Sequence, residues 1–189
     1  MWKKTKDLVL FAWHCLLHPL RNASVTPSSA SAAKAMIADI DFSAIKTVFE
    51  LGPGTGVFTE EVLKRCRPGT QVVLVEIEER YVTLLRKRFG GRVVVEHASV
   101  ADLERIVGKY GGHVDLIISG LPVMIPGVTE KLLLSIKKYT EQGAIYRFFS
   151  YVPPLVKRVY RGLPVQKIAF VLLNLPPLWV YELSVPEHA

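Results

Sequence analysis

Cysteine is scarce in this chain: 2 in 189 residues, Cys15 and Cys66. Neither has a partner at metal-ligand spacing, and two thiols make no disulfide framework. The plain reading is reduced thiols in a cytosolic protein, with no metal. A membrane-spanning run is missing too, since no uninterrupted apolar stretch reaches the roughly 18 residues such a helix needs. Negative charge is in deficit, with 17 Asp and Glu against 24 Lys and Arg and a formal net charge of +7. That balance implies an anionic partner, either nucleic acid or an anionic membrane surface, and charge alone does not choose between them. Internal repeats and low-complexity linkers are absent. What is present is apolar: half of the residues are hydrophobic. The length suits one α/β domain with a substantial core and is too short for two full ones.

The N-terminus, MWKKTKDLVLFAWHCLLHPL, has the basic start and short apolar run of a signal peptide, but the remainder shows no secreted-protein feature. Residues 3 to 17 read as a helix stopped by Pro19. Lys3, Asp7, His14 and His18 share one stripe, and Trp2, Val9, Trp13 and Leu16 lie opposite. Lys3, Lys4, Lys6 and Arg21 flank a surface rich in Trp, Phe and Leu, as in helices that lie in a membrane interface. Packing on the domain's own core or on a second subunit is the alternative. The chain thus divides into a helix at residues 1–21 and a domain at 22–189. The domain opens on a second helix with Thr26 as N-cap and Pro27 at its first position, running to about Ile40.

From residue 46 onward TVFEL, QVVLVEI, RVVVEH, VDLIIS, AIYRFFSY and IAFVLLNL are strand-like. Helical segments at about 58–66, 78–89, 100–110 and 127–140 separate the first five. Apolar runs without alternation mark parallel strands buried on both faces. Repeated strand–helix units build a doubly wound, mostly parallel Rossmann-like α/β sheet. QKIAFVLLNLPPLWVYELSV, broken by Pro176 and Pro177, closes it as an antiparallel C-terminal hairpin.

In such a sheet ligands sit beyond the carboxyl ends of the strands. There the sequence places Gly52, Gly54 and Gly56 in VFELGPGTGVFTEEVL, residues 48 to 63. Glycines let the backbone approach a ligand closely. Glu76 ends the second strand 24 residues after Gly52, where a carboxylate accepts both ribose hydroxyls of an adenosine cofactor. The spacing is G-x-G-x-G, preceded by the acidic Glu50, where a pyrophosphate fingerprint wants G-x-G-x-x-G. A cationic sulfonium with an amino-acid tail suits an acidic strand end better than a diphosphate does. The reading is S-adenosylmethionine, with S-adenosylhomocysteine as product.

Glu50 to Gly56 with the following FTEEVL resembles motif I of the seven-stranded class I S-adenosylmethionine-dependent methyltransferases. Within that superfamily the chain resembles the ribosomal RNA adenine dimethyltransferases and, over nearly its whole length, the bacterial phospholipid N-methyltransferases. The carriers are VTPSS at 25–29, ELGPGTGVFTEEVL at 50–63, LVEIEE at 74–79, ISGLP at 118–122 and LNLPPLWVY at 173–181. The resemblance implies cofactor contacts at Glu50, Gly52, Pro53, Gly54, Thr55, Gly56, Phe58, Thr59, Glu76, Ile77 and Ser119. Many relatives place an Asp against adenine after the third strand; here HASVADL offers Ala98 and Ser99.

Adenine methyltransferases carry Asn/Asp-Pro-Pro-aromatic or Asn-Leu-Pro-aromatic after the fourth strand, to hold the amino group and stack on a flipped base. This chain has Ser119, Gly120, Leu121, Pro122, Val123 and Met124, with neither Asn nor aromatic, a wall better suited to an acyl chain. RNA dimethyltransferases also add a helical C-terminal domain, whereas here the sequence runs out just after the hairpin. By resemblance the reaction is N-methylation of phosphatidylethanolamine, through its mono- and dimethyl forms, towards phosphatidylcholine. Gly120, Leu121 and Pro122 would frame the transfer point. Tyr151, with Tyr146, would offer aromatic faces to the growing methylammonium. Arg147, Lys157 and Arg158 would meet lipid phosphate or anionic headgroups. The expected protein is a cytoplasmic enzyme, peripheral on the inner membrane surface, with anionic lipid as partner and no nucleic acid. The alternatives are an RNA adenine N6-methyltransferase without its C-terminal domain, and a non-catalytic lipid-binding relative.

Overall fold

The structure is a computed structural model that describes residues 27–174 and 176–183. The expected interfacial helix, with Trp2, Lys3, Lys4, Lys6 and Trp13, lies outside the described residues, as do Thr26 and Leu175.

The elements run α1 (Pro27–Met36), β1 (Thr47–Leu51), α2 (Val57–Arg65), β2 (Gln71–Glu76), α3 (Glu79–Phe89), β3 (Val94–His97), α4 (Leu103–Lys109), β4 (Leu116–Ser119), α5 (Thr129–Glu141), β5 (Ile145–Ser150), α6 (Pro153–Val159), β6 (Val165–Val171) and β7 (Leu178–Leu183). The strand order is β3-β2-β1-β4-β5-β7-β6. The first five strands are parallel, and β7 inserts antiparallel between β5 and β6. This is the expected doubly wound, seven-stranded sheet with its closing hairpin.

The inner strands bury both faces, and two apolar layers flank the sheet. Val48, Leu74 and Ile118 belong to one layer with α1 and α3, and Phe49, Val75 and Ile117 to the other with α4 and α5. Helix α3 shows why its sequence is helical: Tyr81, Val82, Leu85 and Phe89 form its buried stripe, and Arg86, Lys87 and Arg88 load its last turn, where cations complement the helix dipole.

Three stretches differ from the sequence reading. The helix expected at 100–110 is split, because the Ser99 hydroxyl accepts the Ala101 N–H and holds Val100–Asp102 as a 3₁₀ turn. Pro153 and Pro154 start helix α6 in a stretch to which the sequence reading assigned no element, since proline is tolerated at the first helical positions. Strand β6 begins at Val165, with Gln166 and Lys167 exposed on the sheet edge, and ends at Val171.

Arg147 corrects a functional expectation. It is 5% exposed on β5 rather than available to lipid. Its guanidinium donates to Glu182 of β7 from Nε and Nη2, both at 2.8 Å, and Nη1 donates to the carbonyls of Met36 and Ala38. The side chain ties the last strand to the end of α1, with planar donors matched to several acceptors at once. Removing one partner of a buried ion pair strands the other groups. Arg147→Ala is expected to cost about 3 kcal/mol in a urea unfolding titration, whereas Lys157→Ala, at an exposed position, should cost almost nothing.

Candidate active site

The carboxyl ends of β1 and β4 meet almost backbone to backbone. The Gly52 N–H donates to the Val75 carbonyl and the Gly120 N–H to the Leu51 carbonyl, each at 2.9 Å. A Cβ on Gly120 would lie 2.7 Å from the Gly52 carbonyl oxygen, and one on Gly52 2.5 Å from Leu121 Cδ2. No other residue fits this contact without displacing a strand end. Gly54 differs. Its φ is +55°, and a Cβ there would meet nothing within 4 Å, because it faces an open hollow. Gly56, also left-handed, precedes α2.

That hollow has a volume of about 390 Å³, the size of small-molecule sites. One end is formed by Gly52, Pro53, Gly54, Thr55, Phe58, Glu76, Ile77, Glu78 and Tyr81, and the other by Gly120, Leu121, Pro122, Phe149, Tyr151, Asn174 and Leu178. Phe58 stacks on Phe149 at 5.7 Å, and Tyr151 meets Phe149 edge-on at 5.7 Å and 76°. The Glu76 carboxylate accepts the N–H groups of Gly54, Ile77 and Glu78 at 2.9 to 3.1 Å, so the glycine loop itself holds it in place.

Glu50 lies beneath the loop, 1% exposed. Oε2 accepts the Thr59 hydroxyl at 2.7 Å, and Oε1 is buried with no partner among the described residues. Burial pushes its carboxyl up to about 7, with Thr59 opposing the rise and the charge of Glu76 adding to it. An orphaned buried carboxylate oxygen calls for a cation or a donor.

The structure separates other expected residues from this hollow. Tyr146 points to the opposite sheet face, 1% exposed, stacked on Phe148, with its hydroxyl 3.0 Å from that of Tyr160 and pushed up to about 12 by burial. It has no route to a methylammonium in the cavity. Ser119 is buried beside it, its Oγ accepting the Leu121 N–H, and it braces the turn from behind. Ala98 donates its N–H to the Glu76 carbonyl and Ser99 caps a turn; neither lines the hollow. Lys157 lines a separate hollow with Arg161 and Lys167, and Arg158 is exposed on α6.

Asn174, Phe149, Tyr81 and Leu178 line the site and were not assigned roles from sequence. The period of a strand, carried one residue past β5, signals Phe149: residues 147, 149 and 151 share one face, and 146, 148 and 150 the other. Asn174 sits in the LNLPP motif that carries part of the resemblance.

Residues 28–104 match the family model described as ribosomal RNA adenine dimethylase. The chain is 31% identical over 184 residues to an ornithine lipid N-methyltransferase of Singulisphaera acidiphila, covering 93% of this chain and 95% of that one. The chain belongs to that enzyme's family, among the S-adenosylmethionine-dependent methyltransferases related to ribosomal RNA adenine dimethylases. It is also 29% identical over 114 residues to ribosomal RNA small subunit methyltransferase A of Dehalococcoides mccartyi, spanning 58% of this chain and 38% of that one. Two solved structures share the fold. TrmN of Thermus thermophilus has a TM-score of 0.60 at 15% identity, over 90% of this chain and 52% of that one. A protein of Clostridium thermocellum described as an rRNA methylase has a TM-score of 0.60 at 18% identity, over 87% and 99%.

S-adenosylmethionine is the methyl donor of this methyltransferase, and the site fits it. Gly54 leaves the floor open, Glu76 presents a carboxylate for ribose hydroxyls, and the free Glu50 oxygen suits a cationic amino-acid tail.

Gly54→Leu should abolish cofactor binding by calorimetry at a folding cost of only about 1 to 2 kcal/mol for the left-handed backbone. Gly120→Ala should instead lower the melting temperature, because its Cβ meets backbone. For Glu50 the folded value lies above the unfolded one, so the protonated form is favoured on folding. Stability of the cofactor-free protein should therefore fall as pH rises from about 4.5 to about 7 and then level. A bound cation reverses that preference, so cofactor binding near pH 6.5 should release protons and tighten with pH. Calorimetry in buffers of different ionisation enthalpy measures this, and Glu50→Gln should remove it.

Proposed function

We propose that the protein N-methylates the amine of a membrane lipid headgroup at the membrane surface, carrying phosphatidylethanolamine through its mono- and dimethyl forms to phosphatidylcholine. The observation that carries this reading is the match to a lipid N-methyltransferase across nearly the full length of both chains. The match to the ribosomal RNA dimethylase model stops at residue 104, before the β4 turn and the β6–β7 hairpin. It therefore covers the cofactor half of the cavity and leaves out the half that meets substrate. That half is apolar and aromatic, from Leu121, Pro122, Phe149, Tyr151 and Leu178, and lacks the Asn-Pro-Pro-aromatic arrangement that grips a flipped base after β4. Among the described residues no helix is long and apolar enough to cross a membrane, which is compatible with peripheral attachment through anionic lipid.

The cofactor supplies a methyl group made electrophilic by its sulfonium. The protein's part is to bring a neutral amine in line with that methyl group. An apolar wall of Leu121, Pro122, Phe149 and Leu178 disfavours the charged amine and lowers its pKa, so the free base needs no strong dedicated protein base. Phe149 and Tyr151 present ring faces to the methylammonium as it forms, and cation–π attraction grows with that charge. Lys157 and Arg158 lie outside the cavity, in reach of anionic headgroups at the surface.

The decisive assay offers radiolabelled S-adenosylmethionine with vesicles of phosphatidylethanolamine or of ornithine lipid, each mixed with an anionic lipid, and with structured RNA. Label is expected in mono-, di- and trimethylated phosphatidylethanolamine. Label only in ornithine lipid would change the substrate within the lipid class. Label only in RNA, with the cofactor bound normally, would overturn the lipid reading.

A further inference from the structure

The turn after β4, from Ser119 to Pro122, carries no amide side chain that could hold an amino group. The fold supplies one from a different place. Asn174, in the loop between β6 and β7, is 8% exposed and lines the same cavity as Gly120, Leu121, Pro122 and Tyr151. Its Nδ2 donates to the Pro176 carbonyl at 2.8 Å. That bond fixes the amide with its NH₂ turned to its own loop, and leaves Oδ1 as the acceptor. No described residue donates to Oδ1. Asn174 thereby brings an amide acceptor to the cavity wall that the lipid-amine reading assigns to substrate.

We propose that Oδ1 of Asn174 accepts an N–H from the substrate amine and aims the nitrogen lone pair at the methyl group. Asn174 is then a catalytic residue for the first and second methyl transfers, with no part in the third. The role rests on the lipid-amine reading above. In each transfer the nitrogen lone pair forms the new N–C bond while the C–S bond breaks. The C–S electron pair stays on sulfur as the thioether of S-adenosylhomocysteine. The nitrogen becomes positive and, in the first two transfers, releases its surplus proton to solvent. As that charge develops, an N–H held by Oδ1 becomes a charge-assisted hydrogen bond, stronger in the transition state than before it. A primary amine attacking as free base has two N–H groups and a monomethylated amine has one. A dimethylated amine has none, so nothing is left for Oδ1 to accept.

The test measures kcat/KM on vesicles of phosphatidylethanolamine, its monomethyl form and its dimethyl form, each with the same anionic lipid. Asn174→Ala should lose about 10- to 100-fold on the first two and change less than about twofold on the third. Its cofactor affinity by calorimetry should match wild type, and its melting temperature should fall only by what the lost bond to the Pro176 carbonyl costs. Asn174→Asp keeps an acceptor but adds a negative charge beside the amine, which favours the ammonium. The acid limb of its pH–rate profile should therefore move to higher pH, a change that a packing role would not produce. Equal losses on all three lipids, no loss on any, or an unmoved Asp profile would overturn the assignment. A wild type that labels no lipid at all would sink the lipid reading and this role together; a wild type that labels lipid, with a flat Asn174→Ala series, would sink this role alone.

Discussion

Everything at the functional end of this molecule depends on how closely two strand ends approach. β1 and β4 are neighbours in the sheet, and the loops leaving them touch through Gly52 and Gly120 with no room for a side chain between them. The first loop leads into α2 and the second carries Leu121 and Pro122 to the same cavity. The cavity is the space these diverging loops enclose. The glycine-loop side of the cavity and the side proposed to meet substrate share this single seam. A shift of a few tenths of an ångström there would separate a bound amine from a bound methyl group, which is why positioning is the part of the catalysis that the chain controls.

Charge is arranged against the overall balance. The protein is cationic as a whole, yet the floor of its cavity is acidic, with Glu50 and Glu76 close enough to influence each other. Glu76 is neutralised locally by backbone N–H groups, and Glu50 by little more than Thr59. The surplus cations lie elsewhere, several of them on α6 and β6. Such a layout keeps the acidic floor that suits a cationic cofactor apart from the surface cations that the proposed contact with anionic lipid would use.

The doubly wound, mostly parallel sheet, the glycine loop, Glu76 and the closing hairpin were legible because each depends on local pattern: unbroken apolar runs, a strand–glycine–helix junction, a carboxylate at a strand end. Arg147 was misread because its charge suggests a surface, while its three acceptors come from segments far away in the sequence, Met36, Ala38 and Glu182. Tyr146 was placed at the site for the sake of its ring, although strand alternation puts it on the face opposite Tyr151. Asn174 stayed silent for a physical reason. Its place in the cavity lining comes from the loop between β6 and β7, and no local pattern records where a loop lands.

The position of β7 between β5 and β6 governs how the site can be assembled in time. β6 precedes β7 in the chain, yet joins the sheet only through it. While the chain is being made, β6 has no strand to pair with until β7 arrives. β1 to β5 can already form a parallel sheet by then, glycine loop included, and so offer a cofactor shelf with one wall missing. The loop that carries Asn174 closes that wall in the same event that seats β6, so the cavity is complete only once the β5–β7 pairing has formed.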